Sequence, residues 1–294
     1  MNTSASRFGR LLFTALALAA AALAPAAQAA QLTYKVYTGS PAGFNVTSTL
    51  IEGEKDAILI DAQFTLSDAH RLAAMILESK KNLTTVYVTH AHPDHYWGLA
   101  VIRQTFPQAR LVALPETVAD IQASLPKKLK QWKPVYGANV PDEPVVPAAL
   151  QGTALTLEGE KIEIIGDLQG DTAHNSIVWV PQLKLAIAGD IVYNNAHVWM
   201  LEAPKAEQRA AWIGTLNKLE AMRPAVVVAG HKSEGAPDSP QAIAHTRDYV
   251  QAFDKLVASG ATAEEIKKQI NARFPELKTL GIALDLASKA LGKQ

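Results

Sequence analysis

Three histidines and one aspartate fall within six residues in His90-Ala91-His92-Pro93-Asp94-His95. Imidazole nitrogen and carboxylate oxygen are the protein donors that suit zinc and neighbouring first-row ions. In extended backbone, alternate side chains share a face, so His90 and His92 can turn toward one ion. Asp94 and His95 come from the turn that follows and are within reach of a second. Four donors so closely spaced, in a chain with eight histidines in all, predict a metal centre rather than a solvated histidine-rich loop. The chemistry of such a centre is a water made acidic enough to act as hydroxide near neutral pH.

An element must hold these donors at the edge of a core. Leu83-Thr84-Thr85-Val86-Tyr87-Val88 runs directly into them and predicts a buried strand that ends at the metal loop. The His-x-His-x-Asp-His arrangement after a strand resembles the metallo-β-lactamase superfamily. That resemblance implies a four-layer αβ/βα sandwich of two similar halves, with two β-sheets inside, helices outside and two metals between the sheets. It also implies a hydrolase that uses hydroxide generated at the metals.

Later motifs follow in the order the resemblance requires. Asp61 closes the apolar run Ala57 to Ile60 and resembles the family's aspartate that hydrogen-bonds beside the metal loop; a turn or cap carboxylate is the other reading. Where the family carries Gly-His-Thr, this chain has Gly170-Asp171-Thr172. The third ligand of the first metal is then Asp171 by register or His174 by side-chain chemistry. Asp190, in Gly189-Asp190 after the strand Lys184 to Ala188, matches the carboxylate that bridges both metals in the family's lactonases and thioesterases. Its β-lactamases usually place cysteine or serine there. Tyr193 resembles a tyrosine of the N-acyl-homoserine lactonases whose hydroxyl meets the substrate carbonyl; a packed loop tyrosine is the alternative. His231, after the apolar run Ala225 to Gly230, matches the family's last ligand.

The resemblance thus implies two divalent ions, with zinc first and manganese or iron(II) as alternatives because a carboxylate at Asp171 suits harder ions. His90, His92 and either Asp171 or His174 would hold one ion. Asp94, His95 and His231 would hold the other, and Asp190 would bridge them. Asp94 is also expected to move a proton to the leaving group, and Tyr193 to donate to the developing oxyanion. The expected substrate is a small carbonyl compound, a lactone or other ester first. A class B-like β-lactamase, a mononuclear-iron sulfur dioxygenase and a non-catalytic metal-binding protein are the other readings.

Composition bounds the rest. With 294 residues, 48% hydrophobic and 19% charged, the chain suits one large domain with an extensive core. Residues 1–29 have the form of a secretory signal: Arg7 and Arg10, the apolar run Leu11 to Leu23, then Ala27-Gln28-Ala29. A hydrolase domain over 30–294, in the periplasm or secreted, without a stable membrane anchor after cleavage, is the expectation. The absence of cysteine excludes disulfides, thiolate ligands and a cysteine nucleophile. Equal numbers of basic and acidic residues argue against a nucleic-acid partner, which favours a basic surface.

Of the remaining elements, a helix over Asp68 to Lys80 is expected to be capped by Ser67. Strands are expected from Phe44 to Ile51 and Ile177 to Val180, and helices over Leu99 to Phe106, Ala206 to Met222, Gln241 to Ser259 and Ala263 to Arg273. Pro115 to Pro147 reads as a helical start followed by a long irregular segment of the kind that covers a site. Its four lysines around Trp132 read as a solvated face.

Overall fold

Alternation along the apolar strands decides which layer each side chain joins. The computed structural model describes residues 31–293; the expected signal segment, 1–29, lies outside them. The first half of the chain contains β1 (Thr33–Thr38), β2 (Thr47–Glu52), β3 (Asp56–Ile60), α1 (Leu66–Ser79), β4 (Asn82–Val88), α2 (Pro93–Tyr96), α3 (Leu99–Thr105), β5 (Arg110–Ala113), α4 (Pro115–Tyr136) and β6 (Ala148–Ala149). Then come β7 (Ala154–Leu157), β8 (Glu160–Leu168), β9 (Asn175–Val180), β10 (Leu185–Ile187), β11 (Tyr193–Asn194), α5 (Ala206–Ala221), β12 (Val226–Val228), β13 (His231–Lys232), α6 (Gln241–Ala258), α7 (Ala263–Arg273) and α8 (Gly281–Leu291).

The first sheet has the order β1-β2-β3-β4-β5-β6, antiparallel across its first three strands and parallel beyond. The second has the order β12-β10-β9-β8-β7, and β11 pairs separately with β13. In β3, Ile58 and Ile60 face the other sheet while Leu59 faces the helices; in β4, Tyr87 faces inward and Val86 and Val88 outward. Ile162, Ile164, Val178 and Ile187 meet the first set from the second sheet. Leu72 and Ile76 of α1 and Ile102 of α3 cover the first sheet's outer face. Trp212 and Leu216 of α5 and Tyr249 and Phe253 of α6 cover that of the second. The result is the expected αβ/βα sandwich. No helix among the described residues is long and apolar enough to cross a membrane.

Three local expectations are corrected. The segment after Pro115 is mostly one 22-residue helix, α4, which continues through Pro126 and Pro134. Its Val118, Leu125, Leu129, Trp132 and Tyr136 recur at helical spacing and pack on the first sheet's outer cluster, which offsets the hydrogen bonds the prolines remove. The cap of α1 is Thr65, whose hydroxyl accepts from Asp68 N at 3.1 Å, rather than Ser67. Strand β2 begins at Thr47, because Phe44 and Asn45 adopt left-handed backbone after the 3-10 turn Pro41–Gly43.

The metal loop docks through backbone. Ala62 N donates to His95 O and Gly98 N to Gln63 O, each at 2.8 Å. A Cβ at position 98 would overlap the Ala62 carbonyl, so glycine alone permits this close approach. The neighbouring 3-10 turn is tied to α1 by Asp68. Its carboxylate accepts from Ser40 Oγ and Thr65 Oγ1 at 2.7 Å, Tyr37 Oη at 3.0 Å and Ser40 N at 3.2 Å. Burial works to raise the Asp68 pKa, but these bonds more than offset it and hold the carboxyl below its ordinary value. The associated stability is therefore complete above the unfolded carboxylate value near pH ~4 and is lost as pH falls through the lower folded value. Asp68→Asn is expected to lower unfolding free energy by about 1–3 kcal/mol at neutral pH, read by urea denaturation, with the difference shrinking only in strong acid.

Candidate metal centre

Strand ends supply every donor. His90 and His92 follow β4, and Pro93 at the first position of α2 turns Asp94 and His95 into the same space. Asp171 lies between β8 and β9, Asp190 in the 3-10 turn after β10, and His231 at the start of β13. Ligand atoms of His90, His92, Asp171 and Asp190 all lie within 4.8 Å of one another, as do those of Asp94, His95 and His231. Asp190 joins the two groups: Oδ1 is 3.1 Å from His95 Nε2, and Oδ2 is 3.2 Å from His231 Nε2 and 3.7 Å from His90 Nε2. Gly230 leaves the room for this, since a Cβ there would overlap Asp190 Oδ1.

The far sides of His231, His95, His90 and Asp171 are anchored. His231 Nδ1 lies 2.8 Å from the Phe44 carbonyl, which only accepts, so that nitrogen carries a proton and Nε2 is the atom turned toward the other donors. His95 Nδ1 lies 2.7 Å from Asp61 Oδ2. Asp61 also accepts from Thr89 N and Oγ1 at 2.8 Å; with its proton so used, Thr89 Oγ1 accepts from His90 Nδ1 at 3.1 Å. Asp61 is thus the anchor of the metal loop, the first of its two sequence readings. Asp171 Oδ1 accepts from Thr172 N at 2.7 Å and Asn175 Nδ2 at 3.2 Å, which turns Oδ2 to within 2.9 Å of His92 Nδ1. His92 Nε2 in turn lies 3.3 Å from Glu202 Oε2, whose other oxygen accepts from Lys128 Nζ at 2.7 Å.

The near atoms are bare. His90 Nε2, His95 Nε2, Asp171 Oδ2 and Asp190 Oδ1 are buried without a hydrogen-bond partner, although several stand close to one another. Imidazole nitrogens and carboxylate oxygens converging on one space fit a pair of cations. Electrostatics agree with that fit. Burial pushes the Asp171 carboxyl up to about 6, offset only in part by His92. Burial also holds His90 well below the ordinary imidazole value, and His95 beside it adds to the effect. For His231, burial is outweighed by Asp190 and Asp94, which push it up to about 10.

Of two further expected site residues, His174 stands elsewhere and Tyr193 stands against the donors. His174 is not in either group: it adopts left-handed backbone, its side chain is 38% exposed, and Nδ1 lies 2.8 Å from Asp120 Oδ2. Register, not side-chain chemistry, places the donor, and Asp171 occupies the position. Tyr193 is fully buried, stacks on His231 at 5.4 Å and donates its hydroxyl to Asp190 Oδ2 at 2.8 Å, so its partner in this structure is that carboxylate. Burial, reinforced by Asp171 and Asp190, raises its pKa far above the ordinary phenol value and keeps the proton in place. Glu202 was not foreseen; its one signal is a lone charge in the apolar run Val198 to Pro204. Trp199 lines the pocket over the groups, whereas His197 turns inward, Nδ1 3.1 Å from Tyr249 Oη.

Asp61→Asn is expected to weaken binding of a divalent ion by about 10- to 100-fold, measured by titration against a chromophoric chelator. Secondary structure should be unchanged by circular dichroism.

Comparison with known proteins agrees with this geometry. The Metallo-beta-lactamase superfamily profile matches residues 41–231. Proteins named Metallo-beta-lactamase type 2 from Bacillus cereus and Bacillus sp. (strain 170) are 28% identical over 145 residues and 26% over 144. Each match covers 49% of this chain and 49% of the relative, so the chain spans about half the length of these curated relatives. A metallo-beta-lactamase structure from Pontibacter korlensis superposes with a TM-score of 0.52 at 19% identity, covering 76% of this chain and 94% of that one. The DIM-1 metallo-beta-lactamase gives 0.53 at 20%, covering 75% and 92%. These structures share the fold. With the matched region holding both donor groups and spanning most of the chain, the protein belongs to the metallo-β-lactamase superfamily.

Proposed function

We propose that this protein is a metal-dependent hydrolase of small carbonyl substrates, with a lactone or other ester as the favoured class. The observation that carries the reading is Asp190, whose oxygens stand near His90 of one donor group and His95 and His231 of the other. His90, His92 and Asp171 would hold one divalent ion, Asp94, His95 and His231 the other, with Asp190 shared. Zinc suits the imidazole-rich set, and manganese or iron(II) the carboxylates. Two such ions supply water acidified to neutral pH and polarisation of a carbonyl oxygen.

The chain's own residues do the remainder. Phe44, Phe64, Trp132 and Trp199 line the pocket with apolar surface beside Asp94, Asp190 and His231. Asp94 Oδ2 lies 3.2 Å from His231 Nε2, and its side chain is 13% exposed on the pocket side. It is the carboxylate placed to carry a proton toward a leaving atom. Tyr193 holds Asp190 in orientation through its retained proton.

A β-lactamase is the second reading, favoured by the names of the curated relatives. Two observations favour the ester reading over it. Asp190 stands where the family's β-lactamases usually carry cysteine or serine. Among the described residues lining the pocket, Lys128 is the sole Lys or Arg, and Glu202 already engages it, leaving no free cation for the acidic group of a β-lactam. The apolar run Leu11 to Leu23 and the Ala27-Gln28-Ala29 site support a periplasmic or secreted setting for the reaction.

Elemental analysis should find close to two ions per chain, a loss of one in Asp171→Ala and no loss in His174→Ala, with opening of an alkyl lactone in the parent. Turnover of a β-lactam with neither lactone nor ester turnover would reverse the order of the two readings. A parent chain that binds no ion would remove both. Metal uptake must also displace protons, from His231 below about pH 10 and from Asp171 below about pH 6. Zinc affinity is therefore expected to rise with pH, more steeply below about 6, in a chelator competition run across that range.

A further inference from the structure

Two bulky residues stand in left-handed backbone at one end of the pocket. Phe44 has φ 63° and Leu280 φ 61°. Large side chains seldom adopt this region, and they persist there where the surroundings impose it, often beside a functional site. The surroundings here are specific. Phe44 closes the 3-10 turn, and its carbonyl receives His231 Nδ1. Leu280 precedes α8, and Thr279 before it is tied to the rim of the centre. Its carbonyl accepts from His197 N at 3.0 Å, and its Oγ1 lies 2.7 Å from Ser233 Oγ.

Both side chains line the pocket over the donor groups, about 430 Å³ with its open mouth included. Both also line a second cleft, about 910 Å³ with its open mouth included, with Asn45, Glu234 and Lys278. Phe44 and Leu280 are thus the partition between two spaces. On the pocket side the neighbouring walls are Phe64, Trp132 and Trp199, apolar surfaces that favour burial of an alkyl or aryl group.

We propose that this end of the pocket is the subsite for an apolar substituent of the substrate, and that Leu280 sets the longest substituent accepted. The inference rests on the hydrolase reading for the carbonyl end of the substrate and on the partition for the apolar end. Each methylene laid along the aromatic walls gains affinity until the chain meets Leu280. Leu280 is the residue to alter, because the backbone of Phe44 also holds His231. It lies beyond residue 231, where the family match ends, so this limit belongs to the part of the chain outside that match.

The test uses the full chain in two assays run in parallel. Calorimetric titration with straight-chain methyl ketones of increasing length reads occupancy without hydrolysis. Turnover of straight-chain aryl esters over the same lengths, on zinc-loaded protein, reads the reaction. In the parent, ketone affinity should rise by up to about fourfold per methylene to a limiting length and then level off or fall. Leu280→Gly relieves the left-handed strain while opening the partition. It should gain about tenfold for chains just beyond the parent's limit, and Leu280→Trp should move the limit to shorter chains. If the glycine variant fails to fold, Leu280→Asn, shorter and tolerant of the same backbone, carries the same expectation.

A limit that stays put in the glycine and asparagine variants, or a parent indifferent to chain length, would overturn the proposal. The two readings fail separately. A shifted ketone limit without cleavage of any ester or lactone would sink the hydrolase reading and leave the subsite standing; ester cleavage with an unmoved limit would do the reverse.

Discussion

Four imidazoles and three carboxylates are withdrawn from water at one edge of this sandwich, and the rest of the structure answers to that desolvation. Burying a charge is costly unless it is paired, and burying a polar atom is costly unless it is hydrogen-bonded. Here the cost is met on one side only. Asp61, the Phe44 carbonyl and Asn175 satisfy outward-facing atoms of the donors, whereas His90 Nε2, His95 Nε2, Asp171 Oδ2 and Asp190 Oδ1 are left without partners. An arrangement that satisfies one side of most of these ligands and strips the other is oriented for cations.

The fold makes this possible by bringing strand ends, not strand faces, to the centre. Residues along β3, β4 and β9 are consumed by packing between the layers, and donors are free only where each strand stops. Close backbone approaches then set the spacing, at Gly98 against Ala62 and at Gly230 against Asp190. The aromatic cluster of Phe44, Phe64, Trp132 and Tyr136 carries α4 over the same edge; Phe64 lies 4.8 Å from Tyr136 and 5.9 Å from Trp132. One helix that the first sheet holds by its apolar face thereby becomes a wall of the pocket.

Much of this was legible in the sequence because the informative residues are local. His90 to His95 sit in one stretch after a β-branched strand, and Asp190 and His231 each end an apolar run. The competition between Asp171 and His174 was not legible, since it turns on the left-handed backbone at His174 and on the hold of Asn175, which are properties of the folded loop. Helix α4 was obscured by Pro126 and Pro134, where tertiary packing overrides local preference. Glu202 was invisible for a further reason: its partners His92 and Lys128 are distant in sequence, and no spacing rule links them.

The two halves of the chain are stitched beside the donors. Thr47 N donates to Gly230 O at 2.8 Å and Thr47 Oγ1 to Ala229 O at 2.6 Å, residues 182 positions apart in the latter case. Contacts of such separation carry the largest loop-closure entropy and form late in folding. The donor set itself runs over 141 positions, from His90 to His231, so a nascent chain presents His90 to His95 long before His231 exists to complete the second group. Capture of an ion would accordingly be a closing event in the history of the molecule: a cation bound at that seam would act as a clasp, slowing the separation of the two halves more than it hastens their meeting.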